Sequence, residues 1–91
     1  MRCVLFALAF FACFAQAETA TAPLKVTEVA PGVFLHAGKL LALDVPGHDD
    51  IANIGFVVGT RCVAVIDTGG SPRIGRALRA SLRSRTTLPI C

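Results

Sequence analysis

Residues 51–66 constrain the fold more than any other part of the chain. Two runs rich in β-branched residues, Ile51–Val58 (IANIGFVV) and Arg61–Ile66 (RCVAVI), are separated only by Gly59-Thr60. That spacing predicts a β-hairpin, with Gly59 at the position of a type II′ turn that needs positive φ. Val63–Ile66 carries no polar residue on either face, and such a strand belongs to a sheet covered on both sides. The run ends in Asp67-Thr68-Gly69-Gly70, and Ser71-Pro72 then opens a helix. Ser is a good N-cap, and Pro at the first helical position gives up no intrahelical bond. Ile74, Ala77, Leu78, Ser81 and Leu82 fall on one helical face, with Arg73, Arg76, Arg79 and Arg83 away from it. Thr86–Cys91 reads as a linker and the start of a further strand. The expected class is a layered α/β architecture.

Upstream, Pro31-Gly32 is a turn signal between Lys25–Val29 and Val33–Ala37, which together read as a second hairpin. Val29 breaks the apolar–polar alternation of the first of these strands. Leu40–Leu43 is apolar, and Asp44–Asp50 (DVPGHDD) reads as a loop.

The beginning of the chain has a different character. Met1-Arg2 is basic, Cys3–Phe14 is an apolar run, and Ala15-Gln16-Ala17 has the small-residue pattern of a cleavage site. This is the pattern of a secretory signal peptide. The apolar run falls short of the roughly 20 residues needed to span a bilayer, so no stable membrane span is expected. Cys13 is a poor candidate for lipid attachment, because Phe10-Phe11 precede Ala12. The expected organisation is a signal peptide over 1–17, a flexible leader over 18–24 and a domain over 25–91. The mature chain would be periplasmic or secreted. Cleavage removes Phe6, Phe10, Phe11 and Phe14, leaving Phe34 and Phe56, and it also removes Cys3 and Cys13. Cys62 sits in an apolar strand pattern, where Cys usually acts as a small buried hydrophobe. Whether it pairs with Cys91 in an oxidising compartment stays open.

Four features carry possible chemistry. Asp67 ends a buried strand beside a Gly-rich turn, where α/β folds place their sites. It is equally suited to accepting hydrogen bonds from the Thr68–Gly70 amides and fixing the turn. Gly69-Gly70-Ser71 stands at a helix N-terminus, which favours anions, but the motif is too short to be specific. His36 and His48, with Asp44, Asp49 and Asp50, lack any metal-ligand spacing, and solvated carboxylates with a surface His are the plainer expectation. The arginines at 73, 76, 79, 83 and 85 have no interleaved aromatic residues, and the net charge of +3 is mild. Nucleic acid is therefore not an expected partner.

Three segments carry a resemblance: VAPGVFLHAG (29–38), DIANIGFVVG (50–59) and VAVIDTGGS (63–71). Together they resemble the N-terminal part of the metallo-β-lactamase-fold hydrolases. Within these, DIANIGF and the GRALR helix are most similar to the periplasmic quinoprotein relay system zinc metallohydrolases. The resemblance implies an αββα sandwich with one or two zinc ions, which make hydroxide available near neutral pH. It implies that Asp67 supports the metal-binding loop by hydrogen bonding from beneath, with Thr68, Gly69, Gly70 and Ser71 forming the turn and helix start. It implies a small-molecule substrate and a functional link to dehydrogenases that use pyrroloquinoline quinone. The family's H-x-H-x-D-H ligands are missing from these 91 residues. The expectation is thus an incomplete N-terminal portion of the sandwich, with no catalytic or metal-ligating residue of its own and no zinc bound. VIDTGG also resembles the active-site turn of retrovirus-type aspartic proteases, which would make Asp67 catalytic. Against that, Gly70 stands where those enzymes carry Ser, Ala or Thr, and a helix follows. A small exported, non-catalytic α/β binding module is the third reading.

Overall fold

The computed structural model describes residues 20–91. The signal peptide expected over 1–17, Cys13 included, lies outside the described residues. Four short strands form one antiparallel sheet in the order β1-β2-β3-β4: β1 (Thr27–Ala30), β2 (Val33–His36), β3 (Ile54–Val58) and β4 (Val63–Ile66). One helix, α1 (Pro72–Arg83), follows, and a single 3-10 turn, His48–Asp50, interrupts the long β2–β3 connection.

The first hairpin forms where the sequence places it. Pro31-Gly32 makes the turn, and Gly32 takes φ 73°. Proline fixes the first turn position, and glycine supplies the positive φ of the second. The irregular Val29 has a structural counterpart, because the β1–β2 register shifts between Glu28 and Ala30. Val29 is the extra residue of a bulge at an edge strand, where such irregularities concentrate.

The second hairpin also forms, but its turn differs from the expected one. Val58 pairs with Val63, and the Gly59 amide donates to the Cys62 carbonyl at 3.0 Å. Thr60 and Arg61 therefore occupy the tip. Gly59 does not take positive φ, so the type II′ turn is not present. The true tip lies one residue later than the glycine suggests.

Alternation along the strands sorts side chains between two faces. Phe34, Ile54, Phe56 and Val63 point to the inner face and are buried there with Ile74, Leu78 and Leu82 of α1. Phe34 and Phe56 stack with centroids 4.9 Å apart, and the Arg85 guanidinium lies 4.9 Å from the Phe34 ring centroid. On α1, the buried residues are Ile74, Ala77, Leu78, Ser81 and Leu82, the face read from spacing alone. Leu24, placed in the flexible leader by composition, is instead tied to α1. Its amide donates to the Ala77 carbonyl at 3.0 Å, and its carbonyl accepts from the Ser81 hydroxyl.

Among the described residues, the sheet is covered on that one side only. On the other face, register aligns Val33, Val57 and Ala64 in one row and Leu35, Gly55 and Ile66 in the next. Ile66 is 58% exposed and Leu35 37%. The coverage on both faces expected from Val63–Ile66 is absent among the described residues, since one helix can cover only one face. What stands is a small α+β domain with an antiparallel sheet. Its one parallel contact is a bridge between Val63 and Ile90, so β4, α1 and residues 89–91 begin a crossover unit.

Cys62 and Cys91 form a disulfide across that contact, at a sequence separation of 29. In the chain-entropy account a loop of that size contributes roughly 3–4 kcal/mol. That matters here because a core of this size rarely supplies more than ~3–5 kcal/mol. Phe56 is 1% exposed at the centre of the core. Truncating it as Phe56→Ala, at about 3–5 kcal/mol, is expected to abolish cooperative thermal unfolding followed by circular dichroism.

Candidate functional site

The end of β4 is where the sequence concentrates its signals, and the backbone there is unusual. Asp67 takes φ 61°, the single non-glycine residue of positive φ among the described residues. Its carboxylate accepts from the Thr68 amide at 2.6 Å and the Gly69 amide at 3.0 Å. These two bonds turn the chain sharply out of the strand. Aspartate is among the few residues that tolerate this conformation, because its short side chain bonds locally. Of the two roles the sequence leaves open to Asp67, turn fixation is the one its contacts perform.

The paired glycines have separate causes. Gly69 has φ 81°, and a Cβ there would collide with the Ile74 side chain. Gly70 lies against the loop before β3. Its amide donates to the Asp49 carbonyl at 3.1 Å, and a Cβ would stand 2.9 Å from that oxygen. Ser71 caps α1 as expected, its hydroxyl oxygen accepting from the Ile74 amide at 3.2 Å.

Asp49 joins this turn to the 3-10 turn. Its carboxylate accepts from the Ser71 hydroxyl at 2.7 Å and from Arg73 Nη2 at 2.8 and 2.9 Å. The Ser71 hydrogen bond, and after it the Arg73 guanidinium, hold the Asp49 carboxyl below its ordinary range. The negative charge that a helix start favours is supplied here by the chain's own Asp49. Sequence reading placed Asp49 with the solvated loop carboxylates. It is corrected because Ser71 and Arg73, distant in sequence, fold back onto it.

Asp50 and His36 are corrected in the same way. Both are buried, and His36 Nε2 lies 2.6 Å from Asp50 Oδ1. His36 Nδ1 lies 2.8 Å from the Lys25 carbonyl oxygen. The ring thus ties the segment just before β1 to the 3-10 turn through β2. Lys39 Nζ stands 3.6 Å from the other Asp50 oxygen. No local motif announces a pair 14 residues apart; the only signal was a histidine in phase with Phe34 on the inward side of β2. His48, by contrast, is exposed, with Nδ1 3.0 Å from the Val45 carbonyl oxygen, and Asp44 is exposed as well.

Around the Asp67 turn, then, the structure brings together Thr68, Gly69, Gly70, Ser71, Asp49 and Arg73. It does not gather the histidines. Among the described residues no group of three or more His, Cys, Asp or Glu side chains is placed to hold a metal ion. The arrangement is a rigid platform with its carboxylates engaged by hydrogen bonds. No family model matches the chain, and neither a curated protein nor a solved structure matches it.

Two expectations follow from the platform. Asp67→Asn keeps a side-chain acceptor and is expected to be mild, whereas Asp67→Ala loses both bonds and keeps positive φ, a backbone strain of about 1–2 kcal/mol. Urea midpoints of the two variants test this ordering. Asp49→Asn is expected to lower the urea midpoint at neutral pH. Because the folded carboxyl titrates below the unfolded one, its contribution is complete above the ordinary aspartate range, about 4. It is lost as pH falls through the depressed folded value, so wild-type and variant midpoints should converge in acid.

Proposed function

We propose that this chain is the N-terminal platform of an exported zinc-dependent hydrolase of the metallo-β-lactamase fold, of the kind that serves quinoprotein dehydrogenases. In this reading Asp67 and the Thr68–Ser71 turn support a metal-binding loop supplied by residues outside these 91. Zinc, a small-molecule substrate and periplasmic localisation after cleavage near Ala17 belong to the same proposal.

One observation carries it: the outer face of the sheet, with Val33, Leu35, Val57, Ala64 and Ile66 aligned in register, is apolar and open. A sheet with two apolar faces fits the inner layer of a sandwich, where a second layer covers it. The crossover begun by β4, α1 and the Val63–Ile90 bridge agrees with a following parallel strand, the position where the family carries its ligands. The donor set on this chain does not fit a zinc site by itself, so these residues would position a metal loop without ligating the ion.

A non-catalytic exported module is the second reading, favoured by the Cys62–Cys91 staple, which suits a small oxidised domain. The aspartic protease reading gains nothing from the geometry, since α1 begins at Pro72, directly after the turn, where those enzymes continue in strands.

The two leading readings separate in one experiment. Under the hydrolase proposal, residues 18–91 alone bind zinc only weakly by calorimetry and self-associate. A Leu35→Lys, Ile66→Lys double substitution is expected to suppress that association without changing the melting curve. Reading the coding sequence beyond Cys91 should show H-x-H-x-D-H in frame. Unrelated sequence there, with residues 18–91 a stable monomer, would favour the module.

A further inference from the structure

His36 is buried on the inward side of β2, and both of its ring nitrogens meet an oxygen. Nδ1 lies 2.8 Å from the Lys25 carbonyl oxygen, and Nε2 lies 2.6 Å from Asp50 Oδ1. A backbone carbonyl and an ionised carboxyl can only accept, whereas a neutral imidazole has one N–H and one lone pair. A neutral ring would therefore turn a lone pair onto an oxygen at one end. Placing the missing proton on the Asp50 carboxyl instead is opposed by the Lys39 ammonium, 3.6 Å from Oδ2. Lys25 lines the same cavity as His36, of about 310 Å³. The other charged groups on the neighbouring elements are engaged elsewhere. Glu28 accepts from the Gly32 amide, Asp49 is held by Ser71 and Arg73, and the His48 ring stands against the Val45 carbonyl.

We propose that His36 is held as an imidazolium and acts as a pH-operated clasp on residues 24–26, whose release follows loss of one ring proton. Once that proton passes to solvent, the ring can keep only one of its two bonds. A hydrogen bond to a charged acceptor is the stronger, so Nε2–H stays on Asp50. Nδ1 then presents its lone pair to the Lys25 oxygen, and that bond is lost. The 3-10 turn keeps its tie to β2, while the segment entering β1 loses its own. Leu24 is left with its bonds to Ala77 and Ser81 of α1 and its partial packing against the core. The clasp is closed while the ring is charged and opens as rising pH discharges it.

The test is an NMR titration of the full chain with nitrogen-labelled histidine, from about pH 5 to about pH 9, which brackets the ordinary histidine range. His48, the other histidine, is exposed and serves as the internal reference, assigned with His48→Gln. Hydrogen exchange is followed in parallel and corrected for its intrinsic pH dependence. The expected result is two protonated ring nitrogens on His36 at the acid end and the Nε2–H form alone at the alkaline end. Protection of the Leu24 amide should fall roughly tenfold in step with that change. The Lys39 and Asp50 amides, which bond to the Asp50 and Gly47 carbonyls, should be unchanged. Asp50→Asn offers the neutral ring an N–H to accept, so Nδ1–H stays on Lys25 and Leu24 protection should no longer depend on pH. Four results would each overturn the clasp: a singly protonated His36 ring at the acid end, a ring still doubly protonated at the alkaline end, level Leu24 protection through the transition, or an unaltered pH dependence in Asp50→Asn. The first three are read on the wild-type protein and stand even if the variant does not fold.

Discussion

Everything in this chain hangs on one helix face meeting one sheet face. Ile74, Leu78 and Leu82 of α1 fill the inner side of the sheet against Ile54, Phe56 and Val63, and all six are at most 3% exposed. Apolar burial of this kind is the main favourable term in folding, at about 25 cal/mol per Å². The remaining contacts matter for where they place backbone. The Leu24 bonds to α1, the His36 bridge and the Asp49 clamp all fasten peripheral segments to the same helix–sheet unit.

That unit explains the form of the Asp67 turn. Residues 67–71 carry the chain from the end of β4 to the start of α1, with a left-handed residue at 67, and the Ile74 side chain, packed in the core, leaves no room for a Cβ at Gly69. Asp49 then locks the helix start to the 3-10 turn from the other side. The result is a rigid corner, built from residues 49, 67–71 and 73, whose carboxylates are already satisfied.

Much of the architecture was legible in the sequence, for reasons that can be named. The face of α1, its Ser71 cap and the Pro31-Gly32 turn depend on local periodicity and turn chemistry, and all three were readable. The Gly59 turn was misplaced because glycine is only one way to close a hairpin, and here pairing of Val58 with Val63 set the tip. The His36–Asp50 pair, the Asp49 clamp and the Cys62–Cys91 bond join residues 14 to 29 positions apart. Their formation depends on how the β2–β3 connection and the segment after α1 fold back, which no local pattern records. The second covered sheet face was expected from Val63–Ile66. The described residues keep its apolar pattern while leaving it open.

The central claim is that this open face is made to be covered. Oxidative footprinting of the protein isolated from its native host tests it directly, by comparing side-chain labelling at Leu35 and Ile66 with labelling at the buried Ile54 and the fully exposed Leu40. The account predicts that Leu35 and Ile66 are protected to nearly the degree of Ile54. Labelling of both at the rate of Leu40 would contradict it.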